Sequence, residues 1–101
     1  MALQDNEKKR YGSDQVQGWA VVADTEAFLG HFERAHEIAN KIDDHYFRGR
    51  ALGFIAEREV EAGHSDDALV WAKRLKDPNE RAAAYVGIAR KMIEDLQDRS
   101  K

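Results

Sequence analysis

Residues Gly63-His64-Ser65-Asp66-Asp67 set a histidine, a serine and two carboxylates side by side. A serine activated by an imidazole that is itself oriented by an acid would do acyl-transfer chemistry. The spacing argues against that chemistry. A nucleophile elbow needs glycine two residues after the serine, on a turn from strand to helix. Here that position is Asp67, and the residues before Gly63 carry helical periodicity. The chain also holds its own control. Gly30-His31-Phe32-Glu33-Arg34 keeps the glycine and histidine but has phenylalanine in the serine's place. The segment therefore reads as a helix boundary, with Gly63 as turn residue and Ser65 as N-cap. Asp66 and Asp67 then favour the positive end of the helix. No residue is assigned a catalytic role, and the chain is read as non-enzymatic.

Metal chemistry is excluded by the same kind of argument. His31 and His36 are five apart, His45 and His64 lie far from both, and no cysteine is present. None of these pairs has the i, i+4 spacing of a helical zinc site. The recurrence of His31 and His64 at equivalent turns marks them as polar turn residues. His36, beside Glu33 and Glu37, reads as part of a solvated face. No metal and no cofactor is expected.

The elements that position these residues come from an internal repeat, the strongest feature of the chain. At an offset of 33 residues, Gly30 falls on Gly63, His31 on His64, Ala35 on Ala68, Ala39 on Ala72, Ala51 on Ala84 and Ile55 on Ile88. Ala23 falls on Ala56 and then on Ala89, Asp44 on Asp77, and Arg48 on Arg81. Within each unit, apolar residues recur at three and four: Phe47, Ala51, Leu52, Ile55, Ala56 and Val60, then Ala68, Leu69, Trp71, Ala72 and Leu75. Gly30 and Gly63 break the helices. Asp44 and Asp77 are N-caps, the latter followed by the chain's one proline, Pro78, at the first helical position.

The pattern predicts five helices, over about 13–29, 32–42, 45–62, 66–75 and 78–97, in a single domain spanning 12–101. Residues 1–11 are read as a flexible N-terminal tail. Short connections make sequential helices antiparallel neighbours. Trp19, Leu52 and Tyr85 share one repeat position and, with Trp71 and Phe54, read as core aromatics and aliphatics. Arg48 and Arg81 are expected to pair with neighbouring carboxylates. The last helix carries a wide apolar band, so Val86 and Ile93 are partly exposed or covered by another chain.

These units resemble tetratricopeptide-type repeats, whose first helix carries W-x-x-L-G-x-x-Y and whose second carries A-x-x-x-F. The matching residues are Trp19, Val22, Ala23, Gly30, Ala35 and Ala39, then Leu52, Ile55, Ala56, Gly63, Ala68 and Ala72, then Tyr85, Ile88 and Ala89. The period is 33, alanine replaces the first-helix glycine, and Glu26, Glu59 or Met92 replaces the tyrosine. The stretch "DPNERAAAYVGIA" also resembles a HEAT-type unit. Both resemblances imply an all-α, right-handed α-solenoid of two and a half hairpins that binds a peptide or partner protein. They imply that the first helices line the concave face, which here means Gln17, Ala20 and Asp24, then Arg50, Gly53 and Glu57, then Ala83, Val86 and Arg90. Some tetratricopeptide repeats clamp a peptide's C-terminal carboxylate with Lys and Asn, but those positions here are small or acidic.

Bulk properties agree with a charge-coated helical domain. Of 101 residues, 43% are hydrophobic and 35% charged, for a net charge of −3. Lys and Arg are scattered, so no nucleic-acid partner is expected. No apolar run approaches the roughly 18 residues of a membrane span, and the polar N-terminus lacks a signal peptide's apolar core. The expected location is cytoplasmic, with no membrane partner. The expected partner is a protein or peptide, with self-association through the terminal helices as the alternative.

Overall fold

The computed structural model describes residues 2–99, which form five α-helices and, among those residues, no strand. They are α1 (Ala2–Phe28), α2 (Phe32–Asn40), α3 (His45–Glu61), α4 (Ser65–Arg74) and α5 (Pro78–Arg99). Among the described residues, no helix is long and apolar enough to cross a membrane. The boundaries of α2 to α5 fall within two residues of those read from the sequence. The helix of α1 begins at Ala2 rather than near 13, because backbone helicity continues upstream of the apolar periodicity that marks a buried face.

Local chemistry explains the boundaries. The Asp44 carboxylate accepts from the Phe47 amide at 3.0 Å. Asp77 Oδ1 accepts from the amides of Asn79 at 2.8 Å and Glu80 at 3.2 Å. Each satisfies N–H groups that the first turn of a helix leaves without partners. Gly30 and Gly63 sit at φ of 87° and 88°, the left-handed region that glycine enters without penalty. Both turns are built alike. His31 and His64 amides reach back to the carbonyls of Glu26 at 2.8 Å and Glu59 at 2.7 Å, and each glycine amide bonds a carbonyl three residues earlier at 3.0 Å. This is the Schellman pattern, and it repeats at the 33-residue offset.

One cap differs from the reading above. Ser65 is the first residue inside α4, not its cap. His64 holds the cap position, with no side-chain cap bond. The hydroxyl is one residue too late to reach the free amides of the first turn.

Helices α1, α3 and α5 lie in a row with α3 in the middle. Helix α2 packs against α1 and α3, and α4 against α3 and α5, while the backbones of α1 and α5 do not meet. The core between them is built on alanine: Ala23, Ala35, Ala39, Ala51, Ala56, Ala68, Ala72 and Ala84 are fully enclosed, with Ile42 and Ile55 as the largest fully buried side chains. Small side chains bring the helix axes close. The crossing of α3 and α5 is close enough to bring backbone against backbone. A Cβ added at Gly87 would lie 2.4 Å from the Gly53 carbonyl oxygen, and one at Gly49 would touch the Ala83 methyl at 3.6 Å. Glycine at 53 and 87 thus removes side chains where two backbones touch, while at Gly49 a methyl would make ordinary contact.

The central place of α3 corrects the reading of the shared repeat position. Leu52 is 2% exposed, but Trp19 is 42% and Tyr85 38% exposed. Only α3 has a helix of the row on both sides. On α1 and α5 the same position faces outward, and Ala89, Met92 and Leu96 are likewise exposed. Phe54 and Trp71 are half-buried.

Candidate functional site

The turn from Gly63 to Asp67 does not assemble a hydrolytic constellation. His64 Nδ1 lies 3.5 Å from Asp67 Oδ2 within the same turn, and its ring packs edge-on to Phe32 at 5.8 Å. No hydrogen bond joins His64 to Ser65 among the described residues. The twin histidine, His31, bonds Glu26 at 2.8 Å.

His36 is not on a solvated face. It is half-buried, and its Nε2 lies 3.2 Å from Glu59 Oε1. The other oxygen of Glu59 accepts from the Trp71 indole N–H at 2.8 Å, and the His36 and Trp71 rings meet edge to face at 4.5 Å. Glu59 is 3% exposed. A buried carboxylate needs hydrogen-bond partners, and each oxygen of Glu59 has one. Here one carboxylate of α3 ties down α2 and α4 together.

A second polar cluster joins the starts of α3 and α5. Ligand-capable atoms of His45, Asp77 and Glu80 all lie within 4.8 Å of one another. Arg48 sits among them, with Nε donating to the Glu80 carboxylate and Nη2 3.0 Å from His45 Nδ1. Asp77 accepts two backbone amides and lies 3.3 Å from His45. Those amide bonds, from Glu80 first and Asn79 second, hold the Asp77 carboxyl below the usual carboxylate range. A guanidinium thus stands where a bound cation would balance the charge. Arg48 pairs with a carboxylate as expected. Arg81 instead donates to the Leu75 carbonyl at 2.8 Å.

Two adjoining grooves run along the row. A groove of about 420 Å³ between α1 and α3 is lined by Gln17, Ala20, Val21, Tyr46, Phe47, Arg50 and Phe54. A second, of about 350 Å³ between α3 and α5, is lined by Tyr46, Gly49, Arg50, Gly53, Phe54, Glu57, Ala83, Val86, Gly87 and Arg90. The two share Tyr46, Arg50 and Phe54, so they run together across α3. Both are in the size range of sites that accept side chains or small ligands.

Of the residues proposed from sequence, the structure brings Gln17, Ala20 and Arg50 into the first groove, and Arg50, Gly53, Glu57, Ala83, Val86 and Arg90 into the second. Asp24 lines neither. Its carboxylate accepts from Arg58 Nε at 3.1 Å, and that bond holds the Arg58 guanidinium more firmly protonated. Arg90 lies 3.4 Å from Glu57, whose carboxyl is pushed up by burial and drawn partly back by Arg90. Sequence reasoning missed Val21 and Tyr46, and took Phe54 for core. The spacing of Tyr46, Arg50 and Phe54 at i, i+4 and i+8 puts all three on one helix face and was the available signal.

No protein-family model matches the chain, and neither does any curated protein or solved structure.

Proposed function

We propose that this chain is a short right-handed stack of antiparallel helical hairpins, tetratricopeptide-like in type, that acts without catalysis as a protein-interaction module. A segment of a partner protein lies on the face shared by α1, α3 and α5. The observation that carries this reading is the continuous double groove across that face, open and bordered by exposed Val21, Tyr46 and Val86. The neighbour-to-neighbour packing of the helices and the twinned Schellman turns support the hairpin stack. Aromatic and aliphatic side chains beside polar anchors are the usual composition of a binding surface.

The test is a pair of variants of equal chemistry on different surfaces. Val86→Arg blocks the second groove. Val70→Arg alters α4, where Val70 is also half exposed, at 50%. Partner capture that Val86→Arg abolishes and Val70→Arg preserves supports the proposal. Equal capture by both variants overturns it.

A second reading, a self-associating scaffold, is favoured by one observation. Val22 on α1 and Ile93 and Leu96 on α5 are exposed at the two ends of the row, where an internal hairpin would bury them. End-to-end contact between such faces is heterologous and open-ended. Mass measured by sedimentation should then rise with concentration and fall back on Ile93→Lys.

A further inference from the structure

Three arginines of α3 and α5 have different partners. Arg58 donates to Asp24 at 3.1 Å and Arg90 to Glu57 at 3.4 Å. Arg50 has no carboxylate partner among the described residues. Its guanidinium carbon lies 6.0 Å from the Tyr46 ring centroid and 5.6 Å from that of Phe54, one turn before and one turn after it on α3. A guanidinium held against aromatic faces keeps its in-plane N–H donors available for a planar, bidentate acceptor. It is also held still by those contacts, so less rotamer freedom is lost when it binds. Arg50 lines both grooves, at the point where they join.

A partner covering this point without an acceptor would strip water from an unpaired cation, which is costly. A partner carrying a carboxylate there gains a charge-assisted pair. We propose that Arg50 is the recognition point for an Asp or Glu side chain within a partner's peptide segment. Apolar residues beside that acid fill the grooves next to Val21 and Val86. The proposal rests on the reading of this face as the interaction surface and names what it selects. A phosphorylated segment is a poorer match. Phosphate carries nearly two charges and is typically met by several arginines, and the nearest other one in the groove, Arg90, already faces Glu57.

The experiment is selection of peptides from a random heptapeptide library, displayed away from the free C-terminus, on the full chain. Binders are then measured against Arg50→Gln and Val86→Arg, with circular dichroism confirming that both variants stay folded. The expected binders carry Asp or Glu flanked by apolar residues. They should lose about tenfold to a hundredfold in affinity on Arg50→Gln, the range for a hydrogen bond to a charged group. Changing the peptide's acid to its amide should cause the same loss, and the two changes together no more than either alone. Binders that lack acids, or acidic binders indifferent to Arg50→Gln, overturn the proposal. If such binders are still displaced by Val86→Arg, the interaction face itself survives. A selection that enriches nothing overturns both.

Discussion

Gly87→Ala tests the close crossing of α3 and α5. In isolation the change favours a helix by about 1 kcal/mol, because alanine loses less backbone freedom than glycine. The new Cβ would lie 2.4 Å from the Gly53 carbonyl oxygen and 3.3 Å from its Cα. No rotamer relieves a contact between a methyl and a backbone, so the two helices must part by roughly 1 Å to restore ordinary packing. Overpacking of this kind costs about 1–3 kcal/mol, and a backbone obstacle places it at the upper end. The net expectation is a loss of about 2 kcal/mol, or roughly 8–16 °C in Tm for a domain of this size. Gly18→Ala supplies the control, since a Cβ there has no heavy atom within 4 Å beyond its own helix. It should gain about 0.5–1 kcal/mol. Thermal and urea unfolding of the two variants read the difference. A Gly87→Ala protein as stable as the wild type would refute the close crossing and the groove floor built on it.

Three further outcomes follow from the caps and the buried polar cluster. Asp44→Ala should cost about 1 kcal/mol in urea unfolding, whereas Ser65→Ala, which removes no cap bond, should stay within about 0.5 kcal/mol of wild type. Glu59→Ala should cost about 2 kcal/mol, because it leaves the half-buried Trp71 indole N–H and His36 without their shared partner, and Glu59→Gln should cost less than half of that. Trp71 fluorescence will report both. In acid, the depressed carboxyl of Asp77 contributes stability that is complete above the unfolded carboxylate value of about 3.9. That contribution is lost as pH falls through the lower folded value. Urea midpoints between pH 5 and pH 2 should therefore fall less steeply in Asp77→Asn than in the wild type.

What the sequence disclosed was what short-range chemistry controls. The caps at Asp44 and Asp77, the left-handed glycines at 30 and 63 and the alanine seams all follow from residue type and spacing. The repeat equates positions, but it does not equate neighbours. Trp19, Leu52 and Tyr85 align in sequence, yet only Leu52 lies between two helices. Contacts made by distant residues were also silent. Glu59 meets His36 across 23 residues and Trp71 across 12, and no local pattern couples them. No local pattern explains Gly53 and Gly87 inside helices, whereas the crossing of α3 and α5 does. Register alone placed eight of the nine residues named for the concave face along the two grooves. Asp24 lines neither groove, and its side chain pairs with Arg58 of α3.

The most direct test of the central claim is site-specific photocrosslinking. Benzoylphenylalanine is placed at Val21 or Val86 on the grooved face, and at Glu37 or Val70 on α2 and α4. The account predicts that one and the same partner is captured from Val21 and Val86, and none from Glu37 or Val70. Capture from the α2 and α4 positions, with none from the grooved face, would contradict it.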